Sequence, residues 1–351
     1  LAKNIIVGTG FSGMLAHLIL GDGATVFGAT NTIEIQGAHR QFLLNKLLGA
    51  KANSSTVLKN HLQKMQLHDR LIAGGNGSIW GGFVNASAIS DTARALLKSA
   101  GIYLIPLRYH QTGSIDSKTQ IYQLQLPLGR VLNPADLITQ IQEAYLQTIQ
   151  VLPDGQVLLQ WRGLKSPHIQ EQACESLVLA VGVVQLIDLL YRSGYLSNGD
   201  ALELSEYRYQ LRPTFKGAKM QENAIVIRVN ILRGLLHFFG IQHYPNFFSW
   251  CDRLIPFALD QIFWNEKVSR SFFVDEGALS TSVGKQDVIS QFGDSVHYCN
   301  LRINGLDANQ FLKNISPSII GLGMAFVDQK TPGPISNDIL SDALKKIANE
   351  E

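Results

Sequence analysis

Three glycines, Gly8, Gly10 and Gly13, have the spacing in this chain that most directly suggests chemistry. The stretch Gly8-Thr9-Gly10-Phe11-Ser12-Gly13 follows Asn4-Ile5-Ile6-Val7, an apolar run rich in β-branched residues of the kind a buried parallel strand requires. Good helix formers follow over Met14-Leu15-Ala16-His17-Leu18-Ile19-Leu20, stopped by Gly21-Asp22-Gly23. A second apolar run, Ala24-Thr25-Val26-Phe27, comes next. Strand, glycine turn, helix and strand in this order give a GxGxxG spacing its meaning. Gly8 permits the tight turn, Gly10 lets a pyrophosphate approach the backbone, and Gly13 lets the helix pack on the strand. The helix start, carrying Phe11 and Ser12, offers N–H groups to phosphate. The expected ligand is a dinucleotide.

Two further features bear on which dinucleotide. In the usual pattern an acidic residue about 20 residues on hydrogen-bonds the ribose. Here the second strand ends Phe27-Gly28-Ala29-Thr30-Asn31, and no carboxylate appears until Glu34. Thr30 and Asn31 are the candidate hydroxyl partners in its place. The second feature is a glycine cluster, Gly74-Gly75-Asn76-Gly77-Ser78-Ile79-Trp80-Gly81-Gly82, too rich in glycine for a stable helix or strand. Its backbone can lie against a flat or charged ligand, and Ile79, Trp80 and Phe83 are too apolar for an exposed tether.

The elements that must position these loops follow from the rest of the chain. At 351 residues it is long for one core, so two subdomains around one ligand site are expected. The hydrophobic share of 46% against 17% charged is that of an ordinary globular protein. A formal net charge of +2 gives no argument for nucleic acid. The nine histidines lack metal-ligand spacing, so no metal is expected. The cysteines Cys174, Cys251 and Cys299 form no CxxC pair and point to a reducing compartment. With no spanning apolar run and no signal-peptide pattern, a cytoplasmic protein is expected.

Residues 37–65 are polar and helical in tendency and read as a solvated face. Asp91–Ser99 reads as a helix stopped by Gly101, and 102–107 and 121–126 read as strands. Asn133-Pro134-Ala135-Asp136 reads as the start of a helix running to about Leu146. Pro153-Asp154-Gly155 is a hairpin turn between 149–152 and 157–161. Leu177 to Gly182 is a buried strand that runs into a helix ended by Gly194. Residues 200–295 are less periodic. Their aromatic stretch 246–264 reads as core and pocket lining of a second domain, with a docking surface for a lipid substrate at a membrane as the alternative. A last helix spans about Ser336 to Ala348.

Three landmarks in this order resemble the glucose–methanol–choline flavoprotein oxidoreductases, including their cholesterol-oxidase-like and pyranose-oxidase-like branches: Gly8 to Gly13, the Gly74 to Gly82 loop, and Leu177 to Gly194. The last is similar to that family's second FAD segment and would place Ala180, Val181 and Gly182 on the cofactor. In the tail, His297 is similar in placement to the family's histidine near the flavin. Ser316-Pro317-Ser318 resembles the Asn-Pro pair and helix start that contact it. The resemblance implies FAD rather than NAD and an α/β fold, a Rossmann-type FAD-binding domain plus a discontinuous α+β substrate domain. The FAD-binding parts would be 1–100, 131–200 and 296–351. The strands of 101–130 and the cap 201–295 would face the substrate. It further implies oxidation of a CH–OH group of an apolar or sugar-like small molecule, with hydride passing to flavin N5. His297 would be the base, and Ser316 and Asn300 would orient the substrate hydroxyl. Cys299 reads as a small buried residue. The pattern departs from the family in the missing ribose acid, in Ser316 where the family has Asn, and in its short length. Those departures keep two other readings open, a degenerate flavoprotein with a binding or assembly role and a nicotinamide-dependent reductase.

Overall fold

β1 (Ala2–Val7) is apolar on both sides because both of its faces are covered: Ile5 and Ile6 are fully buried in different hydrophobic clusters. The computed structural model describes residues 2–30, 73–74, 82–106, 121–163, 166, 168–215, 259–275, 278–280, 295–328 and 334–348. After β1 come α1 (Phe11–Leu20) and β2 (Ala24–Gly28), as the sequence predicts. β2 pairs in parallel with β1, and Val7 stands beside Phe27. On the other side of β1 lies β10 (Ile169–Leu179), also parallel, with Val7 beside Leu179.

Two short strands complete the parallel set. β16 (Ile319–Gly321) pairs with β10, and β7 (Ile141–Glu143) pairs with β2. The order is β7-β2-β1-β10-β16, all pointing one way, so their carboxyl ends line one edge of the sheet. This is an α/β fold with a Rossmann-type βαβ start. β8 (Tyr145–Val151) and β9 (Val157–Arg162) add an antiparallel hairpin on the first half of β10. Its turn falls at Pro153-Asp154-Gly155, where Gly155 has φ 83°.

Helices cover both faces. α1 packs with α5 (Ser336–Ile347), and Met14, Leu15, Leu340 and Leu344 share a cluster with Ile6, Val26 and Val178. On the opposite face α3 (Val183–Arg192) and α4 (Ala308–Ile315) contribute Leu186, Leu190 and Leu312 to the cluster of Ile5, Phe27 and Leu177. The remaining helix, α2 (Asp91–Ser99), begins on the Ser90 side chain, which accepts from the Ala93 N–H at 3.2 Å. A small antiparallel sheet holds β3 (Phe83–Asn85), β4 (Tyr103–Pro106), β5 (Ile121–Leu126) and β6 (Arg130–Val131).

The helix predicted over Asn133–Leu146 is not formed. The cap signal is real, since the Asn133 side chain accepts from the Ala135 N–H at 3.2 Å, but only one 3-10 turn follows (Pro134–Leu137). β7 and β8 take the rest. Ile141 in β7 and Thr148, Ile149 and Val151 in β8 are β-branched, and these strands pair with β2 and β9.

The region beyond 200 has more regular structure than its weak periodicity suggests. β11 (Ala201–Phe215) and β12 (Leu259–Asp275) form a long antiparallel pair in one sheet with β13 (Ala278–Ser280), β14 (Ser295–Ile303) and β15 (Leu306–Asp307). Its base is anchored in the main core by Leu202, Leu204, Leu301 and Ile303. No helix among the described residues is long and apolar enough to cross a membrane.

Candidate cofactor site at the carboxyl edge of the parallel sheet

The turn between β1 and α1 is held from two sides. The Gly8 N–H donates to the Phe27 carbonyl at 2.8 Å, and Gly8 has φ 114°. A Cβ on Gly8 would lie 2.4 Å from the Ala180 carbonyl oxygen, and one on Gly13 would lie 1.9 Å from that of Gly8. Both positions therefore need glycine for the fold itself. Gly10 is different. Its backbone is extended (φ −70°, ψ −174°), and a Cβ there would meet only the Gly74 carbonyl oxygen, at an ordinary 3.6 Å. Among the described residues, neither backbone conformation nor crowding requires glycine here. α1 begins at Gly10 with no side-chain cap, and glycine there leaves room beside the helix start.

Thr9 ties the second glycine cluster to this turn. It is 4% exposed, and its Oγ1 accepts from the Gly74 N–H at 3.0 Å. Gly74 has φ 84°. The fold thus brings Gly74, the first glycine of the second cluster, to the turn 65 positions before it. Gly75, Asn76, Ser78, Trp80 and Gly81 lie outside the described residues, as does Asn31. Gly82 is described: it has φ 68°, and its carbonyl accepts from the Leu124 N–H at 2.7 Å, which joins the end of the cluster to the small sheet.

The third segment arrives through β10. The Ala180 N–H donates to the Val7 carbonyl at 2.9 Å, and Gly182 caps α3. Ala180, Val181 and Gly182 therefore stand beside Gly8, and the starts of α1 and α3 meet the same edge. Thr30, at the end of β2, donates through its hydroxyl to Glu143 Oε2 at 2.8 Å. Glu143 belongs to β7, level with Gly28.

The tail divides. Gly321, which closes β16, is level with Leu179, and two residues later Gly323 turns back over the glycine motif. Gly323 has φ 108°, and a Cβ on it would lie 2.7 Å from Ser12 Oγ. The sequence reading missed this residue; its signal was the Gly-x-Gly spacing that follows an apolar run at Ile319-Ile320. Ser316, Pro317 and Ser318 precede β16 and stand at the opposite edge of the sheet. The Ser318 carbonyl accepts from the Leu177 N–H at 2.9 Å. Ser318 Oγ donates to the Gly155 carbonyl at 3.1 Å, in the β8–β9 turn. At about 3.3 Å per residue in a parallel strand, that is roughly 10 Å short of the Gly8 turn. Ser316 is buried, and its Oγ accepts from the Ser318 N–H at 3.1 Å. The structure does not bring these three residues to the edge that holds the other segments.

β14 carries His297 opposite Tyr207 of β11. Its register shifts between Glu203 and Ser205, which pair with Arg302 and Cys299, so β14 holds one extra residue there. Asn300 sits in this bulge with φ 53°, and its N–H donates to the Val327 carbonyl at 3.0 Å. The bulge reverses the side-chain alternation. Leu301 and Ile303 join one core cluster, whereas Cys299, fully buried, joins the other with Phe11, Leu322 and Val327. The strand holding His297 thereby reaches the side of the molecule that carries the start of α1. No group of three or more potential metal-ligating side chains occurs among the described residues.

No family model matches the chain, and no curated protein matches it in sequence. Among solved structures it is similar to a fungal aryl-alcohol oxidase at 11% identity and TM-score 0.39, over 64% of this chain and 56% of that one. It is also similar to the substrate-free rebeccamycin biosynthetic enzyme RebC at 12% identity and TM-score 0.40, over 99% of this chain and 62% of that one. A flavoprotein/dehydrogenase from Cytophaga hutchinsonii matches at 10% identity and TM-score 0.33, over 99% and 79%. The chain thus spans less than two thirds of the length of the first two.

Proposed function

We propose that this chain binds FAD along the carboxyl edge of its parallel sheet and acts as an FAD-dependent oxidoreductase. The observation that carries this reading is the hydrogen bond from the Gly74 N–H to Thr9 Oγ1. It fastens a second glycine stretch to the dinucleotide turn, and a simple nicotinamide domain has no use for that stretch. Gly323 over Ser12 adds a third approach to the same helix start. Gly8 to Gly13 would hold the pyrophosphate, with Ala180 to Gly182 and the Gly74 stretch around it. When bound, the isoalloxazine supplies the redox chemistry as the hydride acceptor; the protein supplies position and electrostatics.

Within this reading the reaction is oxidation of a CH–OH group on a small apolar or sugar-like molecule. His297 takes the hydroxyl proton as hydride leaves the carbon, a role suited to an imidazole near neutral pH. Asn300, held in its bulge, orients the hydroxyl. The decisive measurement is the absorbance spectrum of the purified protein, with the released cofactor identified by mass. A yellow protein releasing FAD is expected, and the flavin should bleach when a suitable alcohol is added. A colourless protein that FAD cannot reconstitute would sink the proposal, and tight NAD(P) binding without flavin would replace it. A His297→Ala protein reduced at the normal rate would remove His297 from the mechanism.

A second reading keeps the flavin without alcohol chemistry, in a binding or assembly role. What supports it is that Ser316 precedes β16, whose last residue Gly321 is the one level with Leu179, and that Ser316 Oγ accepts from the Ser318 N–H. A flavin-loaded protein that no alcohol reduces would favour it.

A further inference from the structure

Dinucleotide sites of this fold usually carry a carboxylate at the end of the second strand, where it receives the ribose hydroxyls. In this chain that position is Thr30, and the nearest acid along the sequence is Glu34. The tertiary structure nevertheless puts a carboxylate there. β7 lies parallel to β2 with Glu143 level with Gly28, and the Ala144 N–H donates to the Gly28 carbonyl at 3.1 Å, which fixes the end of β7. From that strand end the Glu143 side chain meets Thr30, whose hydroxyl donates to its Oε2 at 2.8 Å. Thr30 is exposed and Glu143 only partly buried, so the carboxylate is accessible at the same edge as the Gly8 turn.

We infer that Glu143, delivered by β7 and oriented by Thr30, is the acceptor for the hydroxyls of the adenosine ribose. The assignment rests on the FAD reading above. The chemistry is that of a short side-chain handover. An ionised carboxylate has acceptor capacity for several donors, so one oxygen can keep the Thr30 hydroxyl while the rest receives ribose O–H groups. A hydroxyl alone at position 30 gives only a neutral hydrogen bond, about half as strong.

The test compares affinities of the protein for FAD and for FAD built with 2′,3′-dideoxyadenosine, measured by flavin fluorescence. The unmodified chain should prefer FAD by about tenfold or more, as expected for hydrogen bonds to a charged group. Glu143→Gln, which keeps only a neutral acceptor, should lower that ratio clearly. The ratio is the informative quantity, because removing a negative charge near the pyrophosphate shifts both affinities together. Thr30→Val, which only frees the carboxylate, should reduce the ratio less. If Glu143→Gln and Thr30→Val both leave the ratio unchanged while FAD still binds, the assignment is overturned and the flavin reading stands. If the unmodified chain binds no FAD, both fall. Matching melting curves of the flavin-free proteins separate a binding loss from a folding loss, and a loss of ratio in a variant that melts normally supports the assignment.

Discussion

Single residues in this protein do two jobs at once, and Thr9 is the clearest case. Its hydroxyl sits inside the dinucleotide turn but serves the Gly74 backbone. Thr9→Val keeps the shape and removes the acceptor, leaving a buried N–H without its partner. The expected cost is about 1–3 kcal/mol in denaturant unfolding, with a weaker hold on FAD. Thr9→Ser should restore both. Gly323 makes the complementary argument. Gly323→Ala places a methyl against Ser12 Oγ in a left-handed backbone, so a loss of about 1–3 kcal/mol and a lower flavin content on purification are expected. An alanine protein with full flavin content would show that the Ser12 contact is dispensable. Among the described residues, Gly10 is the motif glycine that neither its backbone angles nor a close neighbour requires.

At the scale of elements, an ion pair within α3, Asp188 with Arg192, also reaches β8 through hydrogen bonds. Asp188 is 1% exposed, and its Oδ2 accepts from Arg192 Nε at 3.1 Å and from the Tyr145 hydroxyl at 3.2 Å. Arg192 also donates to the carbonyls of Leu146 and Gln147, so one guanidinium joins helix and strand. Arg192→Met should cost about 3 kcal/mol or more in unfolding free energy, because it strands a buried carboxylate. Replacing both partners, Asp188→Leu with Arg192→Met, should recover much of that loss. The same region shows where local pattern misleads. Asn133 does cap a turn, yet the residues after it become β7 and β8, since long-range pairing with β2 outweighs a short stretch of helical tendency.

At the scale of the molecule, the proposed flavin binding would be linked to folding. A ligand that binds only the folded chain stabilises it by about 2.7 kcal/mol at a hundredfold excess over its dissociation constant. The melting temperature should therefore rise with added FAD and not with NAD. A flat response to FAD would count against the whole site. The pH response has a definite sign at Cys174, which is fully buried in β10 and whose thiol is pushed up to about 11 by burial. Its contribution to stability is fully present below the ordinary thiol value and is lost as pH rises toward about 11. Cys174 should resist thiol reagents at pH 8 in the folded protein and react once it is unfolded, which mass mapping of the label would check.

The opening βαβ unit, the hairpin at Pro153-Asp154-Gly155, the strand from Leu177 and the last helix were all legible in the sequence, because each is decided by neighbours along the chain: apolar period, glycine stops and turn residues. The same is true of the βαβ turn that the proposed pyrophosphate site uses. The meeting of Thr30 and Glu143, on which the proposed ribose contact rests, was not legible, since it depends on a parallel pairing between strands distant in sequence. Nor was the tail, where an apolar run with Ser-Pro before it and Gly-x-Gly after it offers either end to the cofactor. Only the register of β16 against β10 decides that Gly323 meets the turn and Ser316 does not. Local patterns specify which elements form; which edge of the sheet each residue reaches is a matter of register, and register is set by contacts distant in sequence.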